Sequence, residues 1–174
     1  MANINLGHVP PADQLHDVLS YDTDLGELIW KRRSDRTAAW NSRYAGKAAG
    51  TRHSNGRQFV NLNGAIYPAH RLIWMMAYGS VPVEIDHINC RPDDNRLCNL
   101  RAATRVENAR NRPVRRDSKA QAKGIYQAKS GRWCASIKEE GRKRHLGTFD
   151  TEDEAKAAFD GNAARLHGEF ARLT

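Results

Sequence analysis

The chain has 174 residues, 40% of them hydrophobic, with 28 Lys and Arg against 20 Asp and Glu, for a net charge of +8. That hydrophobic share can build cores and excludes a low-hydrophobicity disordered chain. No apolar run approaches the roughly 20 residues of a membrane span, and Met1–Gly7 has neither the basic nor the apolar region of a signal peptide.

The positive charge is unevenly placed. Residues 1–30 contain five acids and no Lys or Arg, whereas residues 31–57 contain eight Lys and Arg and one acid. Residues 91–116 contain eight arginines against Asp93, Asp94 and Glu107. Such bands speak of partners rather than of fold, and with no membrane signal the expected partner is nucleic acid. The three cysteines, Cys90, Cys98 and Cys134, are odd in number and show no C-x-x-C spacing. We expect reduced packing thiols in a cytosolic compartment, with a zinc site at Cys90 and Cys98 as the lesser alternative.

In chain order, Gly26–Trp30 reads as a short strand after a turn from Asp22. Gln58–Leu62, the Asn63-Gly64 pair and Ala65–Tyr67 form a hairpin pattern suited to a type I′ turn. Pro68 stops that strand. Ala69–Tyr78 predicts a buried helix ended by Gly79. Pro82–Ile88 reads as a strand, followed by a polar stretch to Asn99. The capping box Thr104–Glu107 predicts a helix from Thr104 to about Arg112, with Pro113 beyond it. Residues 114–118 read as a linker. Gly124–Tyr126, Arg132–Lys138 and Lys143–Phe149 predict three short strands. A second capping box, Thr151–Glu154, opens a helix closed at Gly168. The fold class expected is α+β, with a domain at 1–113 (motif core 65–112) and a second at 119–174.

The informative constellation is Asp86-His87, Asn99 and Asn108. Phosphodiester hydrolysis needs a base to deprotonate water and a hard cation to hold the phosphate and stabilise the leaving oxygen. Neutral imidazole serves as the base near neutral pH. Asp and Asn oxygens suit Mg²⁺ or Mn²⁺. Adjacent strand residues point to opposite faces, so Asp86 and His87 can serve one site only at a strand end.

Pro68-Ala69-His70-Arg71-Leu72, Glu84-Ile85-Asp86-His87-Ile88, Cys98-Asn99-Leu100-Arg101 and Glu107-Asn108 resemble the HNH homing endonucleases of phages and introns. The resemblance implies a ββα-metal fold. It implies Asp86 and Asn108 as ligands of Mg²⁺ (or Mn²⁺), His87 as general base, and Asn99 as the brace of the long loop. Arg101 and Arg105, in the basic band, are expected to grip DNA. His70 is expected to pack inside the fold.

The C-terminal part is polarised. Lys123–His145 carries seven Lys and Arg and two acids, and Asp150–Glu169 carries two and six. Strand alternation turns Trp133, Ala135 and Ile137 toward the helix, and Arg132, Cys134, Ser136 and Lys138 toward DNA, with Lys143 and His145 opposite in parity to Leu146. A β-sheet can enter the major groove. Lys123-Gly124-Ile125, Gly131-Arg132-Trp133, Ala135-Ser136-Ile137, Leu146–Thr151, Glu154-Ala155 and Leu166-His167-Gly168 resemble the AP2 DNA-binding domain of plant transcription factors and phage homing endonucleases. The groove-facing set this implies is Tyr126, Arg132, Ser136, Lys138, Lys143 and His145.

Together these readings predict a sequence-directed, metal-dependent endonuclease acting on double-stranded DNA. It is expected as a monomer on DNA with a dimer left open, phage-encoded and working in the host cytosol. The rival is a non-catalytic DNA-binding regulator that keeps a nuclease fold. An RNA-directed nuclease ranks last, because the basic sheet lacks the exposed aromatic pair of RNA-stacking sheets.

Overall fold

The computed structural model describes residues 8–114 and 122–173. The Met1–Gly7 stretch and the expected linker, apart from Val114, lie outside them. The fold is α+β and divides into two compact units, Met1–Ala103 and Thr104–Thr174. None of the described helices is long and apolar enough to cross a membrane.

The first unit opens with α1 (Ala12–Val18), whose Leu15 is fully buried, and the hairpin β1 (Leu19–Asp22) and β2 (Glu27–Trp30). The Asp22 carboxylate accepts from the backbone N–H of Asp24 and Leu25, which tightens the hairpin turn. Next come α2 (Ala38–Tyr44), capped by the Thr37 hydroxyl, and a three-stranded sheet of β3 (Thr51–Arg52), β4 (Gln58–Leu62) and β5 (Ala65–Pro68). The β4–β5 turn is the Asn63-Gly64 pair, with both residues at positive φ (52° and 90°), as a type I′ turn requires. The helix α3 (Ala69–Tyr78) ends at Gly79 in the left-handed conformation. Its Leu72 and Ile73 are completely buried with Leu19, Leu28 and Val60, and this cluster is the core of the unit. Then β6 (Glu84–His87) pairs antiparallel with β7 (Leu100–Ala103), and a long loop ending in the 3₁₀ turn Leu97–Asn99 joins them.

The second unit begins with α4 (Arg105–Asn111). The Thr104 hydroxyl accepts from the Glu107 N–H, and the Glu107 carboxylate accepts from the Thr104 N–H, so the predicted capping box is complete. This helix packs on the 3₁₀ turn Gly168–Phe170, and Lys123 Nζ donates to the Arg110 carbonyl at its C-terminal end. A cation there satisfies an orphan carbonyl and complements the helix dipole. Through these ties α4 is counted with the second compact unit.

The rest of the unit is an antiparallel sheet in the order β10 (Arg142–Phe149), β9 (Trp133–Glu139), β8 (Ile125–Gln127), covered by α5 (Glu152–His167). Ile125, Ala135, Ile137, Ala155, Phe159 and Ala163 form the core between sheet and helix. Gly124 (φ 67°) lies so close that a Cβ there would meet the Ser136 carbonyl oxygen at 2.3 Å and the Phe159 ring at 2.5 Å. Only glycine admits that approach.

Candidate active site and DNA-facing sheet

His87 is the last residue of β6 and lies opposite Leu100, while Asp86 lies opposite Arg101. The chain turns at once, since the Cys90 N–H donates to the His87 carbonyl at 2.8 Å and Cys90 itself has φ 60°. His87 therefore stands at the strand end that the Asp-His pair requires. Both side chains are buried, Asp86 at 4% and His87 at 7% exposure.

Arg101 Nε and Nη2 both donate to Asp86 Oδ2, at 2.8 and 2.7 Å. Burying a lone carboxylate is costly, and a charge-assisted pair offsets this. The pair also directs Arg101 inward, with its side chain only 11% exposed, although the sequence reading sent it toward DNA.

The loop after His87 is held by a polar network. Asn99 Nδ2 donates to the Asp94 carbonyl at 2.8 Å, and Asn99 Oδ1 accepts from the Asn89 N–H at 3.0 Å. The Asp94 carboxylate takes hydrogen bonds from Arg96 and Asn89. The Arg96 hydrogen bond holds its pKa well below the usual carboxylate range. Two residues of the β1–β2 hairpin support the same loop. The Tyr21 hydroxyl donates to the Asn95 carbonyl and accepts from the Leu97 N–H. Gly26 (φ 70°) sits where a Cβ would meet the Arg96 nitrogen at 2.6 Å.

Asn95 and Arg57 were not found by sequence reasoning, whereas His70 packs inside the fold as expected. Asn95, 1% exposed, places its Oδ1 3.0 Å from His87 Nε2. The contact engages Nε2, and in the tautomer with its proton on Nε2 the basic nitrogen is Nδ1. His70, the second residue of α3, is buried and sets its ring edge-on to His87 with centroids 5.3 Å apart. Burial pushes its pKa down to about 3, with the charges of His87, Arg57 and Arg71 acting in the same direction. Arg57, in the β3–β4 turn, adds a positive field at both imidazoles. Burial is also the main reason His87 lies below the ordinary imidazole range; the Asn95 hydrogen bond opposes the shift and Arg57 adds to it. Asn95 and Arg57 carried no signal beyond their polar type, because only the folded loop and turn bring them to His87.

Asn108 lies half-buried on α4, one turn after the capping Thr104, and Arg105 opens the same helix with its side chain exposed. Among the described residues no three His, Cys, Asp or Glu side chains cluster as a metal site. The donors expected here are one carboxylate and one amide oxygen, hard ligands that suit Mg²⁺ and leave most of its shell to water and phosphate. The buried Asp86 carboxylate fits that chemistry. Among the described residues Cys90, Cys98 and Cys134 form no disulfide.

On the C-terminal sheet, Lys143 lies opposite Lys138 and His145 opposite Ser136. Across the next pair, Tyr126 lies opposite Cys134. Directly opposed residues share a face, so Tyr126, Ser136, Lys138, Lys143 and His145 lie together on the side away from α5. A bulge at Leu146 shifts the register by one residue between His145 and Gly147, so that Thr148 lies opposite Cys134. Lys143 Nζ stands 4.9 Å from the Tyr126 ring centre, a cation–π contact. Ser136 is only 6% exposed and donates to the Gly124 carbonyl, so it lies beneath the long side chains. Arg132 precedes β9 and pairs with the exposed Asp150 at 2.9 Å.

Sequence comparison agrees with both parts. A model of the HNH endonuclease family matches residues 67–110. Protein 3.8 of Escherichia phage T7 is 31% identical over 107 residues, which is 60% of this chain and 88% of the phage protein. An uncharacterized HNH endonuclease of Acanthamoeba polyphaga mimivirus is 30% identical over 105 residues, 59% of this chain and 54% of its own length. An ethylene-responsive transcription factor of Arabidopsis thaliana is 49% identical over 51 residues, 28% of this chain. The chain spans only 20% of the length of that plant factor. No solved structure matches. The architecture is thus an HNH part followed by an AP2-type sheet and helix. The chain belongs to the HNH endonuclease family.

Proposed function

We propose that this protein is a metal-dependent, sequence-directed DNA endonuclease of the homing type, in which the HNH part cuts and the C-terminal sheet chooses the site. The observation that carries this reading is the His87–Asn95 pair: a buried neutral imidazole with Nε2–H fixed on Asn95 Oδ1. That arrangement leaves Nδ1 as the proton acceptor.

In this mechanism His87 Nδ1 takes a proton from water as the water oxygen bonds to phosphorus and the P–O bond to the leaving oxygen breaks. Asn95 fixes the tautomer and the ring orientation. His70 stays neutral and packs the ring from its edge. Arg57 supplies positive charge for the scissile phosphate. Asn99 holds the loop so that His87 keeps its aim. Asp86 and Asn108 are the residues we assign to hold Mg²⁺ or Mn²⁺. When bound, the cation supplies charge stabilisation for the phosphate and the leaving oxygen. Arg101 holds Asp86 in place through its two hydrogen bonds. Tyr126, Lys138, Lys143, His145 and Arg132 face double-stranded DNA from the second unit, and Arg105 adds a phosphate contact.

The test is supercoiled plasmid incubated with the full chain, with Mg²⁺ or with excess chelator. Nicking is expected only with the cation, and a His87→Ala chain is expected to bind but not cut. Binding without any nicking in Mg²⁺ or Mn²⁺ would make the protein a regulator on a nuclease fold.

A further inference from the structure

One face of the first unit collects aromatic rings and guanidinium groups that the cutting chemistry does not use. Trp30, Trp40 and Tyr44 form a continuous wall there. Trp30 and Trp40 meet edge to face at 5.4 Å between centroids, and Trp40 and Tyr44 lie at 5.1 Å. His53 and Phe59, 4.6 Å apart, line the same cleft. Its volume is 650 Å³, within the range of about 300–1,000 Å³ typical of ligand pockets.

The guanidinium groups are built in. Arg33 is 7% exposed, and its Nε and Nη2 donate to the two Asp35 oxygens at 2.9 and 2.6 Å. Asn41 clamps its backbone, accepting from the Arg33 N–H and donating to the Arg33 carbonyl, each at 2.8 Å. Arg33 and Arg36 both lie within 6 Å of the Trp40 ring centre, and Arg36 also donates to Asn63 Oδ1 at 2.8 Å. The charged side chains that line the cleft are Arg33 and Arg36, with the Asp35 carboxylate 2.6 Å from Arg33 and 3.7 Å from Arg36, so two guanidinium groups share one acid. Tyr44 remains 37% exposed at the cleft mouth.

A concave site with aromatic rings and arginines selects a flat, aromatic, anionic ligand. Base stacking on such rings tolerates any base, because every base has a π-face. The faces of a paired base are hidden in the duplex, so only an unpaired or extruded base can enter. The β3–β4 turn joins this cleft to the catalytic loop. His53 on one flank lines the cleft, while Arg52 pairs with Asp93 at 3.5 Å and Gly56 approaches Pro92.

We propose that this cleft captures one unpaired nucleotide of the DNA, with the base against Tyr44 and Trp40 and its phosphate on Arg36. This rests on DNA being the partner, and the experiment separates the two ideas. The full chain is titrated, in chelator so that nothing is cut, with a fully paired duplex and with the same duplex carrying a single-nucleotide 2-aminopurine bulge. The bulged duplex is expected to bind about tenfold tighter than the paired one, with its 2-aminopurine fluorescence quenched. Tyr44→Ala and Arg36→Gln are expected to remove most of that preference while leaving paired-duplex affinity within a few-fold. Tyr44→Phe is expected to keep it, and circular dichroism of each variant checks folding. Equal binding of bulged and paired duplexes overturns the proposal while leaving the endonuclease reading intact, as does an equal loss on both in Tyr44→Ala. No binding to either duplex overturns both.

Discussion

His87 Nε2 lies 3.0 Å from Asn95 Oδ1, and Asn95 is itself almost completely buried. Because that oxygen can only accept, the proposed mechanism has Asn95 select the tautomer in which Nδ1 is basic. Asn95→Ala should leave DNA affinity within a few-fold and lower kcat by about tenfold or more, part of the roughly 10²–10⁴-fold that a placed base contributes. Asn95→Asp should recover much of the rate, because a carboxylate also accepts from Nε2. Its negative charge favours the imidazolium, so the acid limb of the pH–rate profile should move up by about one pH unit or more. An unchanged profile in Asn95→Asp would remove Asn95 from the mechanism.

The acid limb of the unaltered protein follows from the same environment. Burial lowers the His87 pKa, and Arg57 lowers it further. The base is neutral above its pKa, so kcat/KM should rise with pH through a midpoint below about 6.5, the ordinary imidazole value. Arg57→Ala should raise that midpoint and also lower the rate. A midpoint at or above the ordinary value, measured by steady-state nicking at constant ionic strength, would contradict the structure.

How much of this was legible beforehand varies with the kind of residue. Both capping boxes, the Asn63-Gly64 turn and the Gly79 stop are local signals, and they place α3, α4, α5 and the β4–β5 hairpin almost to the residue. Elements α1 and α2 are seven residues each, too short for a clear helical period, and α2 has Trp40 where a capping box would have Glu or Gln. Leu100–Ala103 is a strand only because β6 pairs with it; its sequence, Leu-Arg-Ala-Ala, has no β-branched residue. The same division holds at the site. Asp86 and His87 stand out by motif, and the structure places both, buried, at the end of β6. Asn95, Tyr21 and Gly26 do not stand out, since they come from loop and hairpin segments up to 74 residues apart in sequence.

His70 gives a stability prediction. Its folded pKa is pushed down to about 3, against about 6.5 for an exposed imidazole. Above 6.5 neither state holds the proton. Between 6.5 and about 3 the unfolded chain binds it and the folded chain refuses it, so stability falls as pH falls through that window. The slope from this group is at most about 1.4 kcal/mol per pH unit. Urea midpoints measured from pH 7 to pH 4 should decline, and less steeply in His70→Gln. Parallel declines in the two chains would show that His70 is not the group responsible.

The sheet of the second unit divides its cations into two kinds. Lys138 and Lys143 are directly opposed on the face away from α5, and Tyr126 lies beside them under the Lys143 ammonium. These side chains project from paired strands, whereas Arg132 sits at the strand start and already pairs with an exposed carboxylate. Tyr126→Ala and Lys138→Ala should therefore weaken the preferred site by about 1–3 kcal/mol while leaving random DNA little changed. Arg132→Ala should weaken all sequences alike and reduce the salt slope of binding by about one unit, the mark of a phosphate contact. Ser136→Ala should have little effect on either, because that hydroxyl is buried against the Gly124 carbonyl. The measurement is selection of bound sites from a random-insert library, followed by salt titrations on the preferred and a scrambled duplex. If Lys138→Ala and Tyr126→Ala lower both affinities equally, this face positions the protein on the backbone and the sequence is read elsewhere.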